Sequence, residues 1–171
     1  PKHLESIIAK LREIGAEITE YDEAVRVTMN SRPKKCNVKT MPHPGFPTDM
    51  QPQIATVLTV CQGTSIVTEG VWDNRFRYID QLTLMGADIQ VEGRMAVITG
   101  VDTLTSAPVK AVDLRAGAAM IIAGLMAKGK TEVEDIQYID RGYENMEEIF
   151  ANLGAKIRRV QFDKKTEKTT E

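Results

Sequence analysis

The residues that build metal centres are scarce in this chain. Its 171 residues include two cysteines and two histidines. Cys36, Cys61, His3 and His43 fall in unrelated contexts with no Cys-x-x-Cys spacing, which argues against a structural zinc site and for a reduced, cytoplasmic setting. No apolar run approaches the ~18 residues that a transmembrane helix needs, and no secretory leader is visible. A net charge of −2 supplies no field that would recruit nucleic acid or an anionic membrane. Neither is expected as a partner. With 42% hydrophobic and 27% charged residues, what remains is an ordinary globular composition. The length suits one or two domains with a real core.

What is present is a repeat. "LESIIAKLREIGAEI", "YIDQLTLMGADI" and "NMEEIFANLGAKI" each run an amphipathic helix into a Gly-Ala-x-Ile ending. In the first, Leu4, Ile7, Ile8, Leu11 and Ile14 share a helical face. The glycines, Gly15, Gly86 and Gly154, lie about 70 residues apart and read as left-handed caps past a helix end. Two of these endings continue into strand-like alternation, "AEITEYDEAVRVTM" and "ADIQVEGRMAVITG", the second with a hairpin turn at "EGR". A second element recurs as well. "TDMQPQIATVLTVCQGTSIVTEGV" and "VDLRAGAAMIIAGLMAKGKTEVEDI" each place an aspartate before a helix, then Gly63 or Gly129, then a short β-rich run.

Joined, the unit reads β-α-β-α-β-β over roughly 65–70 residues. The fold class is therefore α/β. The chain is expected to hold about two whole copies and the second half of an earlier one, with a piece missing upstream. The expected division is an incomplete domain over residues 1–161, made of a half repeat at 1–41 and repeats at 42–106 and 107–161. A polar tail follows at 162–171.

The candidate chemistry sits at helix starts. Asp49 and Asp113 hold equivalent places, each just before a helix, where an aspartate is a good N-cap. Asp49 is approached through "PHPGFPT". Prolines stiffen that backbone, and such stiffness also suits a pre-organised catalytic group. Both readings stay open for each aspartate. Arg75, Arg115 and Arg141 also stand at or just before helix starts, where the helix dipole disfavours cations. They are either surface charge or joint ligands of an anion such as a phosphate or carboxylate. Trp72, the single tryptophan, is expected to pack in the core or against a subunit. Cys61 is expected to be a buried packing residue, whereas basic neighbours in "RPKKCNVKT" could lower the Cys36 pKa.

Taken in order and spacing, "HPGFPTDMQ", "TEGVWDNRF", "VDLRAGAAMIIAGL" and "YIDRGYENMEEIFANLGAKI" resemble the UDP-N-acetylglucosamine 1-carboxyvinyltransferases, also called UDP-GlcNAc enolpyruvyl transferases. The likeness runs from about Leu4 to Val160. Asp49 and Val71 are 22 residues apart, Asp49 and Arg115 66, and Arg115 and Arg141 26.

The resemblance implies an inside-out α/β barrel domain of three β-α-β-α-β-β units, here incomplete and without its partner domain. It implies transfer of the enolpyruvyl group of phosphoenolpyruvate to the 3′-hydroxyl of UDP-N-acetylglucosamine, with release of phosphate, in the first committed step of peptidoglycan synthesis. The reaction runs through a tetrahedral intermediate and uses no metal or organic cofactor. By motif match Asp49 is the proton acceptor at the sugar hydroxyl and Val71 a backbone contact to the sugar nucleotide. Arg115 and Arg141 bind the phosphoenolpyruvate-derived group, Asp113 lies near the intermediate, and Arg75 is a further ligand contact.

Neither cysteine matches the family's reactive cysteine, which lies on the partner domain. The phosphate-binding lysine near the family's N-terminus is not matched either. The chain alone is therefore expected to be inactive and to self-associate. The alternatives are a transferase like 5-enolpyruvylshikimate-3-phosphate synthase and a non-catalytic binding domain of the same fold.

Overall fold

The computed structural model describes residue 1 and residues 3–161; the polar tail expected at 162–171 lies outside the described residues. The chain opens with α1 (Glu5–Glu13), followed by the hairpin β1 (Glu17–Glu20) and β2 (Val25–Thr28). α1 forms for the reason its periodicity predicts. Ile8 and Ile14 are buried, Ile7 and Leu11 pack partly against the core, and the polar residues face water. Leu4, assigned to the same face, is exposed.

The middle of the chain holds one full β-α-β-α-β-β unit. It comprises β3 (Val38–Lys39), α2 (Gln51–Leu58), β4 (Thr64–Thr68), α3 (Ile79–Leu84), β5 (Asp88–Glu92) and β6 (Met95–Thr99). The four strands form one sheet in the order β3-β4-β6-β5. β3 and β4 are parallel, and the other neighbours are antiparallel. Only Gly93 and Arg94 separate β5 from β6. Gly93 takes φ 57°, the first central position of a two-residue hairpin that favours glycine.

A second unit follows: β7 (Pro108–Lys110), α4 (Leu114–Met126), β8 (Glu132–Glu134), α5 (Gln137–Asp140) and α6 (Met146–Asn152). β7 and β8 are parallel. Its two closing strands are not formed among the described residues, so only the middle copy is complete in the structure. Gly15, Gly86 and Gly154 end α1, α3 and α6 with φ of 102°, 85° and 96°, as the repeat predicts. A side chain there would strain the backbone.

The core gathers around α2 and α4. α2 buries Pro52, Ile54, Ala55 and Leu58, and α4 buries Ala116, Ala118, Ala119, Met120 and Ala123. The small face of α4 permits close approach. A Cβ at Gly117 would stand 2.5 Å from Ile139 Cγ1. Tyr78, Leu82, Met85, Ile98 and Leu104 complete the interior at full burial, each such side chain contributing on the order of 1.5–3 kcal/mol. This packing holds the starts of both helices in register with each other.

Candidate active site

Pro42, Pro44 and Pro47 lead to Asp49, and the His43–Pro44 bond is cis. Pro47 is extended, with φ −71° and ψ 136°, and the chain then closes into a 3-10 turn, Thr48–Met50. That turn separates Asp49 from the first residue of α2. The N-cap position of α2 falls on Met50, and the helix has no side-chain cap. Of the two readings open for Asp49, capping of α2 is not observed, and its side chain is 54% exposed. Pro52 sits in the first turn of α2, where its missing N–H costs nothing. Asp113 does cap. In an extended conformation, it accepts the Ala116 N–H at 2.8 Å at the start of α4. Two aspartates in equivalent sequence positions thus differ in that Asp113 caps its helix and Asp49 does not.

Two arginines from distant parts of the chain meet on Asp49. Arg115 Nη2, on the first turn of α4, donates to Asp49 Oδ2 at 2.9 Å. Arg75 Nη2, from the loop before α3, donates to Asp49 Oδ1 at 3.1 Å. Arg115 Nη1 also donates to the Tyr143 hydroxyl at 2.9 Å, and the guanidinium lies 5.6 Å from the centre of that ring. The Tyr143 hydrogen bond, then that of Asp49, hold the Arg115 pKa above its ordinary value against the opposing effect of desolvation. These partners offset the unfavourable position of a cation at a helix start. Each pair is partly exposed, so its contribution to stability is modest.

Arg141 follows α5 on the loop that carries Tyr143 and is exposed. It makes no ion pair among the described residues. Gly142 brings this loop against α4, because a Cβ there would lie 2.8 Å from Leu114 Cδ2. The structure thus joins Asp49, Arg75 and Arg115 directly. Asp113 adjoins them at the start of α4, and Arg141 remains two residues from Tyr143.

Val71 is a partly exposed residue whose N–H donates to Glu69 Oε1 at 2.9 Å. Glu69 itself is 1% exposed. Sequence reasoning passed over Glu69, Thr48 and Tyr143. Their available signals were an acidic residue at a strand end inside "TEGV", a hydroxyl beside Asp49, and an aromatic beside Gly142.

Three expectations about single residues change or hold here. Trp72 is 58% exposed, so it does not pack in the core of this chain. Cys61 is buried, as expected. Cys36 is buried too, and its basic neighbours do not lower its pKa. Desolvation first, then Glu13, push the Cys36 thiol up to about 11, and desolvation pushes Cys61 up to about 12. Among the described residues no helix is long and apolar enough to cross a membrane.

A carboxylate with a guanidinium on each oxygen, open to solvent at the start of two buried helices, suits a hydroxyl acceptor beside an anionic donor. The sequence profile of the EPSP synthase (3-phosphoshikimate 1-carboxyvinyltransferase) family matches residues 1–150. The chain belongs to this family of enolpyruvyl transferases. Among relatives, the UDP-N-acetylglucosamine 1-carboxyvinyltransferase of Desulfofundulus thermocisternus is 52% identical over 97% of this chain and 68% of its own length. UDP-N-acetylglucosamine 1-carboxyvinyltransferase 1 of Carboxydothermus hydrogenoformans is 56% identical over 96% of this chain. The Clostridium botulinum UDP-N-acetylglucosamine 1-carboxyvinyltransferase is 54% identical over 94%. The chain spans 39% and 38% of the length of those last two.

Among solved structures, the enolpyruvyl transferase NikO from Streptomyces tendae superposes with a TM-score of 0.83 at 25% identity, over 91% of this chain and 36% of that one. EPSP synthase from Acinetobacter baumannii does so with a TM-score of 0.61 at 19% identity, over 82% of this chain and 36% of that one. The second likeness shows the fold alone. The α/β class expected from the sequence is the one observed, as part of an enolpyruvyl transferase fold.

Proposed function

We propose that this chain is part of a UDP-N-acetylglucosamine 1-carboxyvinyltransferase, which moves the enolpyruvyl group of phosphoenolpyruvate to the sugar 3′-hydroxyl and releases phosphate. The observation that carries the reading is the meeting of Arg75 and Arg115 on Asp49, across 26 and 66 residues of chain. A hydroxyl attacking an enol carbon needs a base within reach. A donor bearing both phosphate and carboxylate needs planar cations that bind it bidentately.

Asp49 takes the hydroxyl proton as the sugar oxygen bonds to the enol carbon, and the methylene carbon takes a proton from an acid outside this chain, whose conjugate base accepts one back in the elimination. Loss of phosphate and of a methyl proton restores the double bond. Arg115 and Arg141 hold the donor, and its arrival competes with Asp49 for the guanidinium of Arg115. Arg75 keeps Asp49 oriented during that exchange. The Val71 N–H is engaged by Glu69, so its carbonyl is the backbone group left for the sugar nucleotide. Asp113 serves the site through the helix start that it caps, close to the intermediate.

Residues 1–161 form the incomplete domain in this reading, with the other half of the cleft supplied by sequence beyond this chain. The setting is the cytoplasmic start of peptidoglycan synthesis, hence cell-wall growth, shape and division, without nucleic acid, membrane or cofactor. The EPSP synthase alternative is weaker, because the relatives with 52–56% identity carry the UDP-N-acetylglucosamine name.

The test is phosphate release from phosphoenolpyruvate by the natural full-length protein, with and without UDP-N-acetylglucosamine, and with shikimate 3-phosphate in parallel. Asp49→Asn should lower kcat by about 10²–10⁴-fold, the range of a lost general base. Release that depends on shikimate 3-phosphate would move the assignment to the other transferase. Equal rates for parent and Asp49→Asn would remove Asp49 from the chemistry.

A further inference from the structure

One buried group near the site has no part in the mechanism above. Glu69, just past the end of β4, is the only acidic side chain among the buried residues described. Its Oε1 accepts from Thr40 Oγ1 at 2.7 Å, from the Val71 N–H at 2.9 Å and from the Trp72 N–H at 3.1 Å. Its Oε2 accepts from Thr48 Oγ1 at 3.1 Å. Thr40 Oγ1 accepts in turn from the Gly70 N–H at 2.8 Å. Three segments therefore converge on one carboxylate: the end of β3, the 3-10 turn that carries Asp49, and the loop that leads to Arg75. The chain has no room to slide there, since a Cβ at Gly70 would fall 2.3 Å from the Thr40 carbonyl oxygen.

The two backbone N–H groups can only donate, and an ionised carboxylate only accepts. An apolar side chain in place of Glu69 would leave those donors without their acceptor. A glutamine could keep its oxygen on the three donors at Oε1 and give its NH₂ to the Thr48 hydroxyl, which also accepts, so it is alanine that empties the cluster.

We propose that Glu69 is a positioning residue for enolpyruvyl transfer. Through the Thr48 hydroxyl it sets the turn that holds Asp49, and through Val71 and Trp72 it sets the loop that brings Arg75 to the same carboxylate. The inference rests on the transferase reading for its catalytic half.

The experiment compares Thr48→Val, Thr48→Ser and Glu69→Ala with the parent in the natural full-length protein. Thr48→Val cuts only the link between Glu69 and the Asp49 turn, at nearly constant volume. The expected result is a kcat about 10- to 100-fold lower, the scale of a small misplacement of a reacting group. The KM for phosphoenolpyruvate should stay within about twofold, because the donor's arginine ligands are untouched. Thr48→Ser should restore most of the rate. Glu69→Ala should lower kcat in the same way and speed hydrogen exchange at the Val71 and Trp72 amides, a readout that needs no turnover.

A folded Thr48→Val protein with parental kcat, or Thr48→Ser as slow as Thr48→Val, would overturn the positioning role. Unchanged amide exchange in a folded Glu69→Ala protein would overturn the claim that Glu69 holds the loop. A parent that releases no phosphate fails differently, because it removes the transferase reading itself and the catalytic half with it.

Discussion

At the scale of single residues, burial outweighs charge for the two thiols. Cys36 stands among lysines in sequence, yet its side chain is enclosed and its pKa rises to about 11 from an ordinary 9.0. An acid whose pKa is raised by folding stabilises the native state below its unfolded pKa and loses that contribution as pH rises through the folded one. Stability should therefore fall from about pH 9 upward through 11, as read by thermal melts in a pH series. Below pH 9, an alkylating reagent should label Cys36 and Cys61 far more slowly in the folded chain than in the denatured one. Rapid labelling of folded protein near neutral pH would contradict the burial. The basic neighbours of Cys36 were legible in the sequence. The enclosure that overrides them was not, because it comes from residues far along the chain.

At the scale of elements, the two helix starts show how one sequence pattern yields two local structures. "TDMQPQ" inserts a 3-10 turn, so Met50 takes the cap position and Asp49 is left facing outward. "VDLRAG" passes directly into α4, and Asp113 binds the Ala116 N–H. Asp113→Ala should cost about 1 kcal/mol of stability, and Asp113→Asn, an equally good cap, only a few tenths. Melting of both variants against the parent checks this. If Asp113→Asn loses turnover in the full-length protein while keeping stability, the carboxylate serves the chemistry beyond the cap. The helix-to-glycine endings were legible because cap and periodicity are local signals. The choice between capping and presenting an aspartate depends on where the helix begins by a single residue, the least determined feature of a sequence reading.

At the scale of the whole molecule, the chain leaves apolar surface uncovered. α6 buries none of its residues, and Ile149 and Leu153, one turn apart, are 54% and 77% exposed. The isolated chain should therefore self-associate and, under the proposed function, should show no turnover, because it spans only 39% and 38% of the length of two transferases that it resembles. Sedimentation at rising concentration and a phosphate-release assay check the two statements. A monodisperse monomer at high concentration would contradict the first, and turnover by the isolated chain the second. The sequence by itself determined the α/β repeat, its glycine stops and the candidate residues Asp49, Val71, Arg75, Asp113, Arg115 and Arg141, since periodicity, caps and motifs are written in neighbouring residues. Only the tertiary structure decided which of them meet. The ion pairs on Asp49 span 26 and 66 residues and the Thr40 and Thr48 hydrogen bonds to Glu69 span 29 and 21; tertiary packing sets those distances, and local sequence carries no record of them.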